Sequence, residues 1–391
     1  MRGKIILPPM LAAALGLMFS ACLASADPGV DPGKIVFGQA AALEGQAAAL
    51  GTGMRDGLLA AFGEANRAGG VHGRKLELIS RDDGYEPLKS IDATKQLITD
   101  DKVFALVGAV GTPTSAATQP VADDARVPFI GAFTGAEFLR NPFKPNVVNI
   151  RASYYQETEE MIERLTRDRR ITRVAILFQD DSFGRAGLAG TRRALEKRQM
   201  SLVSEGTFER NSVAVRGAML TIRKGNPEAV IMIGPYRPCA EFIKLARDVN
   251  FNPLFVNISF VGSNAFAKEL GEAGAGVVVT QVVPFPEDSS LPLVARYRAA
   301  LEGLLPGAEP GFVSLEGYMV GRLLIAALEK MPGEPSRQGL LDTIHSESFD
   351  LGGVTLHYGK DDNQGMDHVY LTEIQGDGSI KPIATLRLAG G

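Results

Sequence analysis

The sequence is poor in the residue types on which most metal, redox and nucleophilic chemistry depends. Its 391 residues include no tryptophan and only two cysteines, which cannot build a disulfide framework or a four-thiolate zinc site. Four histidines are spread along the chain without the spacing of a metal-binding helix: His72, His345, His357 and His368. We therefore expect neither a metal nor a cofactor.

Charge and motif content exclude further classes of protein. The 41 basic and 45 acidic residues give a formal net charge of −4, without the basic stripe of a nucleic-acid-binding protein. The enzyme motifs GxSxG, GxxxxGK(S/T), GxGxxG and CxxC are also missing. Asp82-Asp83 and Asp180-Asp181 pair carboxylates, but adjacent side chains in an extended segment point apart and make a poor acid–base dyad. The sequence predicts no enzyme and no nucleic-acid partner.

The first 26 residues have the order of a secretory signal peptide. Arg2 and Lys4 precede an apolar run over residues 5–19, and Ala-Ser-Ala at 24–26 offers a cleavage site before Asp27. Pro8-Pro9 interrupts the run, which leaves less than the about 20 apolar residues that span a bilayer. The chain is therefore expected to be exported to the periplasm.

A second processing route stays open at this terminus. Residues 19–22 are similar to a bacterial lipobox, and cleavage before Cys22 would leave a lipid-anchored protein. Cleavage after residue 26 removes two basic side chains, so 39 basic residues face 45 acidic ones and the net charge becomes −6. Cys239 is then the remaining cysteine, and its apolar helical context predicts a buried side chain.

The rest of the chain alternates short apolar strands with amphipathic helices. This alternation predicts parallel sheets covered by helices on both faces. About ten such units are too many for one sheet, so we expect two lobes, with a boundary at Arg151. Long helices are predicted over 291–305 and 312–331, and antiparallel hairpins from Gly352 to the end. Strands are predicted at 34–39, 74–81, 104–108, 127–131, 174–178, 229–233, 254–257 and 277–281.

Candidate ligand-binding residues follow the predicted strands, because ligands of open α/β sheets bind beyond the carboxyl ends of the strands. Two neighbouring strands of the first half both end in small residues and hydroxyls before a helix. Free N–H groups at a helix start suit a carboxylate, and helix capping is the structural alternative. The candidates are Thr112, Thr114 and Ser115 after one strand, and Ala132, Phe133 and Thr134 after the next.

In the second half, aromatic side chains follow three strands. Phe183, Tyr236 and Phe260 are expected to project into the same crevice, where rings offer apolar contact and stacking. Burial in the hydrophobic core is the alternative for each of them.

These segments resemble the type I periplasmic solute-binding proteins of ABC importers, the leucine/isoleucine/valine-binding family. The resemblance runs from about Lys34 to about Val369. The stretch NRAGGVHGR at 66–74, followed by the carboxylates of DDGYEP at 82–87, is its most specific part. Further matches lie at 38–45, 111–114, 128–131 and 181–184.

The resemblance implies two Rossmann-like lobes with parallel-rich sheets flanked by helices, joined by three hinge crossings. The N-terminal lobe would comprise 33–150 plus 285–350, and the C-terminal lobe 151–284 plus 351–391. It also implies a monomer that captures a small ligand between closing lobes and delivers it to an ABC permease in the inner membrane.

The resemblance assigns roles within the cleft as well. Residues 112–115 and 132–134 would hold a ligand carboxylate, and Phe183 and Tyr236 would come from the second lobe. Amino-acid binders of this family carry an acidic residue after the next strand, which holds the α-amino group of the ligand. In this sequence that strand is predicted at 254–257, and Ser259 is the residue nearest to the position. Glu157 and Glu241 are the candidate substitutes. The ligand is then an amino acid, branched-chain or other, or an aromatic acid, which Phe133 and Phe183 would suit.

Two other functions stay open. The chain could be a ligand-sensing subunit for a membrane receptor, with the same fold. An exported α/β enzyme is the third alternative, supported by the fold class alone.

Overall fold

The computed structural model describes residues 27–386. The predicted signal peptide and the Cys22 alternative lie outside the described residues. Two sheets, each covered by helices, form two lobes, so the predicted α/β architecture is confirmed. No helix within residues 27–386 is long and apolar enough to cross a membrane.

The first lobe is built on a six-stranded sheet. Strand β2 lies at its centre, paired in parallel with β3 on one side and with β4 on the other, and β5 and β6 continue in parallel. The short β1 pairs antiparallel with the start of β2. The strands are β1 (Val30–Asp31), β2 (Lys34–Ala41), β3 (Lys75–Asp82), β4 (Ala105–Val107), β5 (Phe129–Ile130) and β6 (Val147–Val148).

Helices from two separate parts of the chain cover this sheet. The early ones are α1 (Ala48–Arg67), α2 (Pro87–Thr99) and α3 (Thr112–Asp124). Three later ones, α9 (Pro292–Leu304), α10 (Phe312–Lys330) and α11 (Arg337–Ser346), return to the same lobe. Helices α1 and α10 pack backbone against backbone. A Cβ on Gly57 would lie 1.9 Å from the Ser314 carbonyl oxygen, and one on Gly317 would lie 2.3 Å from that of Met54.

The second lobe is built on a seven-stranded sheet with the order β15-β14-β11-β10-β9-β7-β8. Five strands are parallel, and β14 and β15 add an antiparallel edge. The strands are β7 (Val174–Gln179), β8 (Ser204–Phe208), β9 (Ala229–Ile233), β10 (Leu254–Asn257), β11 (Val277–Gln281), β14 (Tyr370–Ile374) and β15 (Ile380–Ile383). The helices are α4 (Tyr154–Arg169), α5 (Ser182–Glu196), α6 (Arg216–Lys224), α7 (Tyr236–Asp248) and α8 (Ser263–Leu270).

The C-terminal hairpins were only partly predicted. The turn at 375–378 joins β14 to β15, as its Gly-Asp-Gly sequence indicates. The segment from Gly352, however, forms β13 (Thr355–His357), which pairs with the preceding β12 (Ser348–Asp350). Helix α4 was not predicted, although its buried residues Tyr154, Met161, Ile162 and Leu165 have helical spacing. Its start carries a capping box, in which Ser153 and Gln156 exchange side-chain-to-backbone hydrogen bonds.

The chain passes between the sheets after β6, after β11 and between β13 and β14. Leu293 N donates to Gly352 O at 2.9 Å, and Asn149 N donates to Asn363 O at 2.7 Å. These contacts favour a third crossing close to residue 365 rather than at 350. The division of the chain into 33–150 plus 285–350 and 151–284 plus 351–391 otherwise remains a prediction.

The glycine contact between α1 and α10 leads to a stability prediction. Gly57→Ala should lower the free energy of unfolding by about 1–3 kcal/mol, because the new methyl group forces the two helices apart. Gly63→Ala in the same helix is the matched control. Its Cβ would meet only the end of the Arg67 side chain at 3.4 Å, so stability should stay the same or rise by up to about 1 kcal/mol. Urea unfolding measures both; equal losses would contradict the packing argument.

Candidate ligand-binding cleft

The carboxyl ends of the two sheets face each other, and the residues that follow their strands meet between the lobes. The start of α3 shows why the sequence folds as it does there. Gly111 is the residue before the helix and has a φ of 103°, and a Cβ on it would lie 2.3 Å from the Tyr85 ring. A glycine is required for both reasons. Thr112 does not cap the helix, which leaves its hydroxyl for other contacts.

Three hydroxyl groups form a buried chain between the two predicted strand ends. The Thr112 and Thr134 hydroxyls are 2.7 Å apart, and Thr134 lies 3.4 Å from the Tyr154 hydroxyl. Burial raises the pKa of Tyr154 to about 12, so this hydroxyl stays protonated at neutral pH. Ser115 Oγ, also buried, has no hydrogen-bond partner within the described part of the chain. These hydroxyls, which follow neighbouring strands, are polar groups that a ligand could contact.

Aromatic rings from both lobes pack beside these hydroxyls. The centroid of Phe260 lies 4.5 Å from that of Phe183 and 5.3 Å from that of Phe133. Tyr85 stands 6.1 Å from Phe260, and Tyr154 stands 5.5 Å from Phe183. We call these five residues the aromatic cluster. It joins the first lobe to the second and describes a closed arrangement of the lobes.

Arg151 lies against the aromatic cluster, with its side chain fully buried. Its guanidinium carbon is 4.8 Å from the centre of the Phe133 ring. Nη2 donates to the Ser259 hydroxyl and lies 3.4 Å from Glu157 Oε1. Nη1 lies 3.7 Å from Glu316 Oε1, on helix α10 of the first lobe. A buried guanidinium thus bridges carboxylates of both lobes.

Glu157 is the better satisfied of the two carboxylates. Its Oε2 accepts from Ser259 N at 2.9 Å and from the Thr280 hydroxyl at 2.5 Å. Its Oε1 accepts from the Ser259 hydroxyl at 2.9 Å as well as from Arg151. A carboxylate offers about four acceptor sites, and this chain fills them all.

Glu316 is buried in a poorer environment. Burial raises its pKa to about 7, which nearby Arg151 opposes and the charge of Glu157 reinforces. Burial by itself would lower the pKa of Arg151, but Glu316 and Glu157 outweigh it and the net shift is upward. Arg151 is therefore a permanent cation, whereas Glu316 changes charge near neutral pH.

Six of the ten predicted site residues meet in this region, whereas the other four have different neighbours. Brought together are Thr112, Phe133, Thr134, Phe183 and Phe260, with Ser259 joined to them through Arg151. Ser115 is buried in the first turns of α3. The Thr114 hydroxyl donates to the backbone of its own turn, at Gly111 O and Val110 O. Ala132 packs in an apolar cluster with Val36 and Phe129. Ligand contact by any of these residues remains a prediction.

Tyr236 lies at the edge of the lobe contact, where its hydroxyl accepts from Ala49 N at 3.5 Å. Of the two candidate acids, it is Glu157 that meets Ser259. Sequence reasoning missed Arg151, Glu316, Tyr85 and Tyr154 as cleft residues. The available signal is an arginine three residues after β6, between Ile150 and Ala152. The sequence-based prediction uses Arg151 only as a domain boundary.

The sequence predicts no metal site. No group of three or more His, Cys, Asp or Glu side chains within residues 27–386 is arranged to hold a metal ion. Cys239 is buried as expected, and burial raises the pKa of its thiol.

Comparison with known proteins identifies the fold and the family. A family model described as "Periplasmic binding protein" matches residues 34–379. The chain belongs to this family. Among curated relatives, the "Leu/Ile/Val-binding protein homolog 7" of Brucella suis biovar 1 is 22% identical, over 88% of this chain and 88% of its own.

Solved structures of the family extend the comparison. A "possible leucine/isoleucine/valine-binding protein" from Rhodopirellula baltica is 40% identical with a TM-score of 0.87, covering 91% of this chain and 97% of its own. A fatty acid ABC transporter substrate-binding protein from Thermomonospora curvata has a TM-score of 0.83 at 20% identity, over 92% and 93% of the two chains. The family consists of extracytoplasmic substrate-binding proteins, and the predicted type I periplasmic binding protein fold is confirmed.

The charge of Glu316 gives a pH-dependent prediction. Its ordinary pKa is 4.5, so between pH 4.5 and about 7 the folded protein keeps a proton that the unfolded chain has lost. The free energy of unfolding therefore falls as the pH rises through this interval. Between pH 4 and pH 8, the free energy of unfolding of Glu316→Gln should therefore rise by about 3 kcal/mol relative to that of the unmutated protein.

Urea unfolding of both proteins across this pH range measures the difference. Asp83, a buried carboxyl whose pKa burial raises to about 6, is present in both proteins and cancels. Parallel stability curves would show that Glu316 does not titrate as described.

Proposed function

We propose that this protein is the extracytoplasmic solute-binding component of an ABC importer. In this proposal it captures a small carboxylate-bearing ligand between its two lobes and delivers it to a permease in the inner membrane. Export through the N-terminal signal, a periplasmic location and a monomeric state are parts of the same proposal. Anchoring through Cys22 is the alternative form of localisation. The name of the Brucella relative supports ligand binding, and that of the Thermomonospora protein supports a role in ABC transport.

One observation carries the proposal: buried donors of Arg151 at the lobe contact, and of Ser115 in the first turns of α3, have no hydrogen-bond partner in the described chain. These are Ser115 Oγ and the Nε and Nη1 atoms of Arg151. Leaving buried donors unpaired costs free energy, roughly 1–3 kcal/mol for each group. A carboxylate placed among them would supply acceptors and recover that cost.

The rim of the cleft shows how closure is completed. Arg210 of the second lobe pairs with Glu86 of the first at 2.8 Å, and Asn211 Nδ2 donates to Gly84 O at 3.1 Å. Such partly exposed pairs contribute little individually, about 0–1 kcal/mol. These rim pairs alone therefore favour closure little, and a ligand adds to the preference for the closed state through its differential affinity.

A ligand panel tests the proposal directly. Purified protein is heated with branched-chain and other amino acids, aromatic acids, short aliphatic acids and amides. A true ligand at 100 times its Kd should raise the free energy of unfolding by about 2.7 kcal/mol, which appears as a higher melting temperature. If no small solute shifts the transition, a solute-binding function is excluded.

The hydroxyl chain gives a second test, using the best ligand of the panel. Thr112→Val should weaken binding by about 10- to 100-fold, since a hydrogen bond to a charged group contributes roughly 1.5–3 kcal/mol. Thr191→Val is the matched control. That threonine is also buried, but its hydroxyl donates to Gly187 O inside α5. Isothermal titration calorimetry should find its affinity unchanged; equal losses in the two variants would remove Thr112 from the site.

A further inference from the structure

We infer that Arg151 decides which class of ligand the cleft accepts. Its guanidinium fills the place of a ligand ammonium, so the ligand is an apolar or aromatic carboxylate without an α-amino group. This inference rests on the proposed function and names the substrate class of the same cleft.

The first step is that the cleft already contains a cation. Arg151 is fully buried, donates to Ser259 and lies within 3.4 Å of Glu157. These are the serine and the acid that sequence reasoning had considered as partners for an ammonium. The guanidinium of Arg151 therefore occupies the position that the ammonium of a zwitterionic ligand would need.

The second step is that the nearby acids are already engaged. All four acceptor sites of Glu157 are filled by Ser259, Thr280 and Arg151. Asp181, at the start of α5, accepts from Phe183 N at 2.9 Å, and its other oxygen accepts from Gln179 at 2.6 Å. Asp181 Oδ2 also accepts from Arg210 at 3.2 Å, so its charge is already paired with a guanidinium, and Glu157 has no acceptor site free for a ligand ammonium.

Glu316 is the acid with spare acceptor capacity, but its position excludes an ammonium. Its Oε1 lies 3.7 Å from Nη1 of Arg151. An ammonium bound to this carboxylate would lie beside a guanidinium at low dielectric, where like charges repel strongly. A ligand ammonium would therefore be buried without a suitable partner, which strongly disfavours its entry.

The third step concerns the ligand carboxylate. Two donor atoms of Arg151, Nε and Nη1, have no hydrogen-bond partner among the described residues, and neither has Ser115 Oγ. Both bidentate pairs of a guanidinium include Nη2, which is engaged here, so Nε and Nη1 each offer a single charge-assisted N–H bond to a ligand carboxylate. The guanidinium lies against Phe133, with its carbon 4.8 Å from the centre of the ring. Ligand atoms next to the carboxylate would therefore contact aromatic surface, which favours an apolar body.

Paired ligands test this inference on the unmutated protein. Leucine is compared with 4-methylpentanoate, and phenylalanine with 3-phenylpropanoate, by calorimetric titration at pH 7. The acid of at least one pair should bind at least tenfold more tightly than its amino acid. The uncharged amide of that acid should bind at least tenfold more weakly than the acid.

The outcomes separate the two levels of the proposal. Tighter binding of the amino acid, or equal binding of acid and amide, would overturn the inference. The proposed solute-binding function would be unaffected by either result. If the panel under "Proposed function" contains ligands but none is a carboxylate lacking an amino group, the inference also fails. Absence of every response would overturn the proposed function itself.

Substitutions add an independent readout. Arg151→Lys keeps the charge and removes the Nε and Nη1 donors from their positions, so the affinity for the acid should fall at least tenfold. Ser115→Ala removes an unpartnered hydroxyl, so the melting temperature should stay the same. The affinity for the acid should still fall several-fold. This second variant keeps the test decisive if Arg151→Lys does not fold. Thr191→Val again serves as control, and unchanged affinity in both cleft variants would contradict the inference.

Discussion

The closed arrangement of the lobes depends on the neutralisation of one buried cation. Arg151 lies where the chain first passes between the two sheets, and its charge is compensated by Glu157 in the second lobe and Glu316 in the first. A guanidinium out of contact with water is tolerated only when it is paired and hydrogen-bonded. Since the two carboxylates belong to different lobes, both pairs exist together only when the lobes meet. Electrostatics and domain closure are therefore coupled at this residue.

The aromatic cluster has a related role. Phe133, Phe183 and Phe260 come from different strand ends and exclude water from the guanidinium and its partners. Low dielectric strengthens each satisfied interaction and makes each unpaired donor more costly. The same rings that bury the ion network thus increase the gain from a ligand that completes it.

The fold could be predicted from the sequence to a large extent because parallel strands are buried on both faces. β7 and β9 are buried along their whole length, so each appears as a continuous apolar run. The two-residue strand β6 is too short for a periodic signal. Helix α4 was missed although its buried positions have helical spacing, because two of them, Glu157 and Thr158, are polar. The cleft was harder to predict. A single arginine is usually exposed, and its burial here requires contacts with Ser259, 108 residues away in sequence, and with Glu316 on a helix of the other lobe.

The glycine-mediated contact between α1 and α10 has a consequence for the order of synthesis. Helix α1 ends at Arg67, but its packing partner begins only at Phe312, after most of the second lobe has been made. A nascent chain therefore carries the exposed apolar face of α1 until about the last fifth of the protein emerges. N-terminal domains made of one continuous segment fold as soon as they are synthesised, whereas this first lobe must wait. The polypeptide consequently stays incompletely folded during synthesis. This is the period in which a chain that is exported unfolded must remain competent for translocation.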